Sequence, residues 1–198
     1  MLIDFQPVIK KELPMIEFAR RFTLDELRVA LASYVEATRQ IVEAASDEQL
    51  FRIPEDPEAD DPYTENEAER YVGWSLAHLV LHVTASAEEG AAFSSMLARG
   101  VAVSERLRYE PDWRTLTGRS AVLARLAECQ RMCTAYLDTW PDEPHLETLR
   151  VLPEKWKDVR INAPAAFLGG LSHWSRHITQ MQRCLTGIDG PVGLDGSQ

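Results

Sequence analysis

Four of the chain's five histidines form two pairs with one spacing, His78/His82 and His173/His177. Random placement of five histidines gives roughly 0.1 such pairs. Side chains four apart on a helix share a face, with Cβ atoms about 5–6 Å apart, so two imidazoles can converge on one ion. Two ligands alone bind weakly. The alternative for each pair is a set of hydrogen-bonded histidines at a helix interface. A metal site therefore needs a third ligand from another element. The general base of a zinc protease is missing, because Trp174 follows His173 where an H-E-x-x-H motif would place a Glu.

Four segments have the periodicity to carry these residues. The first runs from about Thr23 to Ala45, opened by a capping box of Thr23 and Glu26, with Leu24, Leu27, Leu31 and Tyr34 beginning a stripe of three-and-four spacing. The second spans about Ser75 to Arg99, with Ser75 as its cap and Gly100 as its stop. The third runs from about Arg119 to Trp140, ahead of Pro141. The fourth runs from about Ala163 to Thr186, between Asn162 and Gly187. No segment of similar length alternates with period two. Helices with a single apolar stripe bury it by packing side by side, so the expected fold is all-α, a four-helix bundle over residues 23–187. Residues 1–22 are expected to form an N-terminal arm and residues 188–198 a loose tail. The links are long, and the one between the second and third helices can span the length of a helix, allowing those two to run parallel.

Helical phase selects among the ligands. On the fourth helix the apolar stripe centres near Trp174, a core residue, and His173 and His177 lie about 95° to one side, at the core edge. On the second helix His82 lies roughly 110–120° from the Leu76, Val80, Val83, Ala87 stripe on the same side, with His78 some 40° further towards solvent. His82 is thus the better third ligand. His78 is left as a fourth ligand, a partner behind the ligands or a surface residue. Cys184 lies about 10 Å beyond His177 along the helix, and Glu89 is similarly remote from His82. His145 follows Pro144 in a link and is expected to be an exposed loop residue.

Composition narrows the partners. The 198 residues carry 21 Lys+Arg against 31 Asp+Glu, a formal charge of -10. That balance argues against nucleic acid, whose binding draws on Lys and Arg. Residues 55–70 hold eight of the acids and one base, and read as a solvated loop. A domain of this size buries enough surface to need no metal or disulfide staple, so a bound metal would be functional. No apolar run is long enough for a membrane, and Asp4, Lys10 and Lys11 interrupt any signal-like stretch, so no membrane association and a cytoplasmic location are expected. Cys129, Cys133 and Cys184 are expected as free, mostly buried thiols.

Two stretches resemble the DinB superfamily, also called DinB/YfiT-like putative metalloenzymes. Trp74-Ser75 followed by His82, within GWSLAHLVLHVTASAEE, resembles that family's W-S motif with a histidine eight residues after the Trp. HWSRHITQ resembles its H-x3-H, followed by Gln180. The resemblance covers about residues 20–187. It implies an up-down-down-up bundle, a divalent metal (Zn, Ni, Fe or Mn) on His82, His173 and His177, and frequent homodimers. It leaves His78 outside the motif. It also implies a small-molecule substrate and thiol-dependent S-transferase-type chemistry with a low-molecular-weight thiol cosubstrate, although an ion on three neutral imidazoles supplies sufficient chemistry for either S-transfer or hydrolysis. The alternative is a non-catalytic stress-response or interaction bundle with a structural or vestigial metal site. The apolar girth of the second helix, which includes Leu81 and Met96, independently suggests a homodimer unless a folded-back link covers it.

Overall fold

The structure, a computed structural model, describes residues 2–56, 59–61, 67–105, 110–152 and 159–187. It is mostly helical. Short helices α1 (Gln6–Ile9) and α2 (Met15–Ala19) precede α3 (Leu24–Ala44), and α4 (Asp47–Phe51) follows it. Then come α5 (Leu76–Ala98), α6 (Arg119–Asp138) and α7 (Ala163–Thr186). Between α6 and α7, β1 (Arg150–Val151) and β2 (Arg160–Ile161) pair antiparallel, Arg150 opposite Ile161. Two-residue strands are too short to show a period in sequence.

Local chemistry sets the helix ends. The Thr23 N–H donates to Glu26 Oε2 at 2.7 Å and the Glu26 N–H returns to Thr23 Oγ1 at 3.3 Å, completing the expected capping box. Ser75 Oγ accepts the His78 N–H at 3.2 Å, and Asn162 Oδ1 accepts the Ala165 N–H at 3.3 Å. After α5, Gly100 adopts φ +80 while Val101 N–H donates to the Met96 carbonyl and Gly100 N–H to that of Leu97, a Schellman ending. Gly187 closes α7 at φ +65. The third helix ends earlier than expected, at Asp138 rather than near Trp140: Thr139 turns its hydroxyl onto the Tyr136 carbonyl at 2.7 Å and meets Ser95 Oγ at 2.6 Å.

The first 22 residues are packed down, with Phe5 and Phe18 buried and their rings 5.5 Å apart. The tail at 188–198 lies outside the described residues, as does part of the acidic stretch at 55–70. Within the described part of that stretch Arg70 pairs with Asp60 at 2.6 Å, and Glu69 ties it to Arg114 at 2.7 Å.

Helix α5 packs most extensively on α7 and next on α6, while α3 packs on both α6 and α7. Arg28 near the start of α3 reaches Asp138 at the end of α6, and Arg119 at the start of α6 reaches the Val42 carbonyl near the end of α3. Thr84 meets Cys129, and a turn or more further along both helices Ser95 meets Thr139. Trp174 is fully buried and donates its Nε1–H to Thr38 Oγ1 at 2.9 Å, joining α7 to α3. Leu81 is buried and Met96 half-buried within the single chain, so the apolar girth of α5 is covered by its own neighbours.

The α5–α7 contact is unusually close. A Cβ built on Gly170 would lie 2.9 Å from Ala87 Cα, and one on Gly90 would lie 2.8 Å from the Ala166 carbonyl oxygen. Both glycines lower helix propensity by about 1 kcal/mol relative to Ala, a cost offset by backbone contact that no side chain permits. This seam sets the distance between the two histidine-bearing faces. No helix among the described residues is long and apolar enough to cross a membrane.

Candidate metal centre

Helix α5 presents His82 and helix α7 presents His173 and His177, one turn apart, towards the same point. One ring nitrogen from each lies within 4.8 Å of the other two. His82 and His177 are buried, at 8% and 6% exposure, and His173 is half-buried, so the cluster opens on the His173 side. His82 Nε2 and His173 Nε2 are 2.8 Å apart and share a hydrogen bond. Zinc–nitrogen bonds of 2.0–2.1 Å in tetrahedral geometry place two ligand nitrogens about 3.3 Å apart, so the rings need to part by only about half an ångström. The donor set fits a divalent ion of borderline softness.

The outer ring nitrogens determine which inner ones carry a lone pair. His82 Nδ1 faces both oxygens of Glu110, at 3.1 and 3.2 Å. His177 Nδ1 faces Gln180 Oε1 at 2.8 Å. A carboxylate or amide oxygen only accepts, so the network assigns the proton to Nδ1 in each ring and the lone pair to Nε2. Neutral imidazole in that tautomer is the metal-binding form.

Aromatic rings wall the cluster. Trp74, the residue before the α5 cap, lies 4.4 Å from the His82 ring centroid, 5.0 Å from His78 and 5.8 Å from His177. His78 stacks on Trp113 at 5.3 Å with an interplanar angle of 10°, and its Nε2 lies 3.9 Å from Glu110 Oε1. It does not join the converging trio. Of the roles open to it, that of a surface residue is overturned, because the link carrying Trp113 covers the flank that helical phase turns to solvent. Beyond His78 and Trp113 lies a cavity of about 310 Å³, bounded also by Ile53, Val72 and the Glu69–Arg114 pair.

His145 is an exposed loop residue, paired with Glu147 at 2.9 Å. Cys184 and Glu89 are not among the clustered groups. All three cysteines are free; Cys129 and Cys133 are buried and Cys184 is half-buried. Glu110 and Trp113 were not singled out in the sequence, since both arrive on a link with no period. Trp74 entered only as part of a motif, although its position one residue before the cap was a usable signal.

A family model of the DinB superfamily matches residues 31–181, a span containing α5, most of α7 and all three histidines. The chain belongs to the DinB superfamily. No curated protein and no solved structure matches it.

Proposed function

We propose that this protein is a divalent-metal-dependent enzyme in which His82, His173 and His177 are the metal ligands, acting on a small molecule with a low-molecular-weight thiol as cosubstrate. The observation that carries the reading is the convergence of three imidazole nitrogens within 4.8 Å, two of the rings held from behind by oxygen acceptors. Three neutral ligands leave a bound ion its +2 charge and open positions, which supplies Lewis acidity able to ionise a thiol or water near neutral pH. The protein's residues hold and orient. Trp74 and Trp113 exclude water from one flank, and the half-buried His173 marks the approach.

A thiol from outside is favoured because the protein's own are badly placed. Cys129 lies under α5 against the Thr84 carbonyl and Cys133, and Cys184 sits about 10 Å along α7 from His177. The same contacts support an up-down-down-up bundle of α3, α5, α6 and α7. Opposed ends of α3 meet α6, like ends of α5 meet α6, and α7 runs against α5 but with α3. A homodimer is part of the proposal through family membership alone.

The test is metal analysis of the purified protein followed by a screen of small thiols against electrophiles such as haloarenes and epoxides. We expect a bound divalent ion, thiol conjugation abolished by chelator and by His177→Ala, and no effect of Cys184→Ser. Conjugation that survives chelation overturns the mechanism. A metal held firmly with no activity across several thiols supports instead a structural site in a non-catalytic bundle, and no bound metal supports a vestigial site, for which the direct His82–His173 hydrogen bond is the observation in favour.

A further inference from the structure

We propose that Glu110, which follows α5 in the chain, is the positioning residue for the metal site: its carboxylate fixes the tautomer and ring angle of His82 and thereby ties the placement of residues 110–114 to metal occupancy. The inference rests on the ligand set proposed above. Both Glu110 oxygens lie within 3.2 Å of His82 Nδ1, so the ring can tip about the bond without losing its acceptor. The carboxylate is 27% exposed and the His82 side chain 10%, so the contact is shielded from water on the ring side. A charged acceptor holds an N–H about twice as strongly as a neutral one, and it makes the opposite ring nitrogen more basic.

The arrangement is asymmetric among the ligands. His177 is held by Gln180 from its own helix, one turn away, a partner present whenever α7 is formed. His82 is held by a residue 28 positions along the chain, which reaches it only when the link folds across the amino-terminal half of α5. The link is pinned there by its neighbours: Trp113 stacks on His78, and Arg114 reaches Glu69 at 2.7 Å. Glu110 also lies 3.9 Å from His78 Nε2, so His78 draws on the same carboxylate from the side without competing for the ion. Residues 110–114 therefore lie against the site, with one acid between two histidines of α5.

The experiment uses the full chain. Zinc affinity by competition with a chromogenic chelator and the visible spectrum of the cobalt(II) form are measured for Glu110→Ala, Glu110→Gln and His173→Ala. Glu110→Ala is expected to weaken zinc roughly 10- to 100-fold and to shift the cobalt bands, with the thermal midpoint of the metal-free protein unchanged. Glu110→Gln, which keeps an acceptor but no charge, is expected to recover part of the affinity. Protease cleavage after Arg114 should slow on zinc addition in the wild type and not in Glu110→Ala. Zinc binding as tight in Glu110→Ala as in the wild type overturns the proposal, as does a lowered metal-free midpoint accounting for the whole loss. If His173→Ala also leaves zinc affinity untouched, the ligand set itself has failed; if only His173→Ala weakens it, Glu110 alone is discarded.

Discussion

Helix α5 carries a polar cluster on each of two seams, and the two are built on opposite plans. Towards α7, His82 meets His173 and His177, and one ring nitrogen from each converges on a single point. Towards α6, Glu88 pairs with Arg125 at 2.6 Å beside Cys129 and Cys133, whose sulfurs are 3.9 Å apart. There each group cancels a neighbour: the Cys133 hydrogen bond, followed by burial, pushes the Cys129 thiol well above its ordinary range. The ion pair is largely enclosed, with side chains 14% and 17% exposed, and Glu88 Oε1 and Arg125 Nε lack partners. There two opposite charges offset each other, whereas three imidazoles bring a ring nitrogen each to one point. A buried polar cluster is thus informative through the direction of its lone pairs more than through its residue types.

The comparison breaks most sharply at the histidines. Replacing His82, His173 or His177 by Ala should each reduce zinc affinity by more than the roughly 100-fold associated with losing a ligand's outer partner, while Cys129→Ser leaves it unchanged; chelator competition reads both. On the other seam, Arg125→Met strands the Glu88 carboxylate and should cost about 3 kcal/mol of stability by urea unfolding. The double variant Glu88→Leu, Arg125→Met should regain most of it, because no uncompensated charge remains. Gly170→Ala tests the close approach that sets the histidine spacing. Its new methyl meets the Ala87 backbone, and the expected loss is about 1–3 kcal/mol together with weaker metal binding.

The smallest effect is alkaline. Burial pushes Tyr34 up to about 12, and Cys129 is raised as well, so in the folded state both hold their protons to higher pH than in the unfolded chain. The unfolded state then binds fewer protons once pH exceeds the unfolded values, and stability falls with rising pH. These contributions are complete below about pH 8.5–10 and are lost as pH climbs towards the folded values. The thermal midpoint should drop progressively above pH 9, and Tyr34→Phe should make the drop shallower. A midpoint flat to pH 11 would contradict the assignment.

How much of this was legible in the sequence depended on whether the determinant was local. Thr23, Ser75, Gly100, Asn162 and Gly187 act within a turn of their own helices, so the long helices could be bounded to within about two residues. The three histidines could be chosen because phase on one helix, compared with phase on another, is a local property read twice. His78 shows the limit, since its phase points it away from the core and only the fold of a distant link covers it. Glu110 and the Gly90–Gly170 seam share that character: an acid in a link and a glycine in a helix gain meaning from what they touch. The direct Nδ1–Glu110 contact depends on a chain separation of 28 residues that no periodicity encodes.

Trp74 has one further consequence. Its indole sits 4.4–5.8 Å from three imidazole rings, two of them proposed ligands, and no other tryptophan contacts those two among the described ring pairs. Excited indole is quenched by electron or energy transfer to nearby acceptors, so an open-shell ion on those imidazoles would dim this fluorophore most strongly. The protein carries its own optical gauge of occupancy: copper(II) or cobalt(II) titrations can be read in ultraviolet emission without a label, and Trp74→Phe would weaken the signal while leaving the histidines in place.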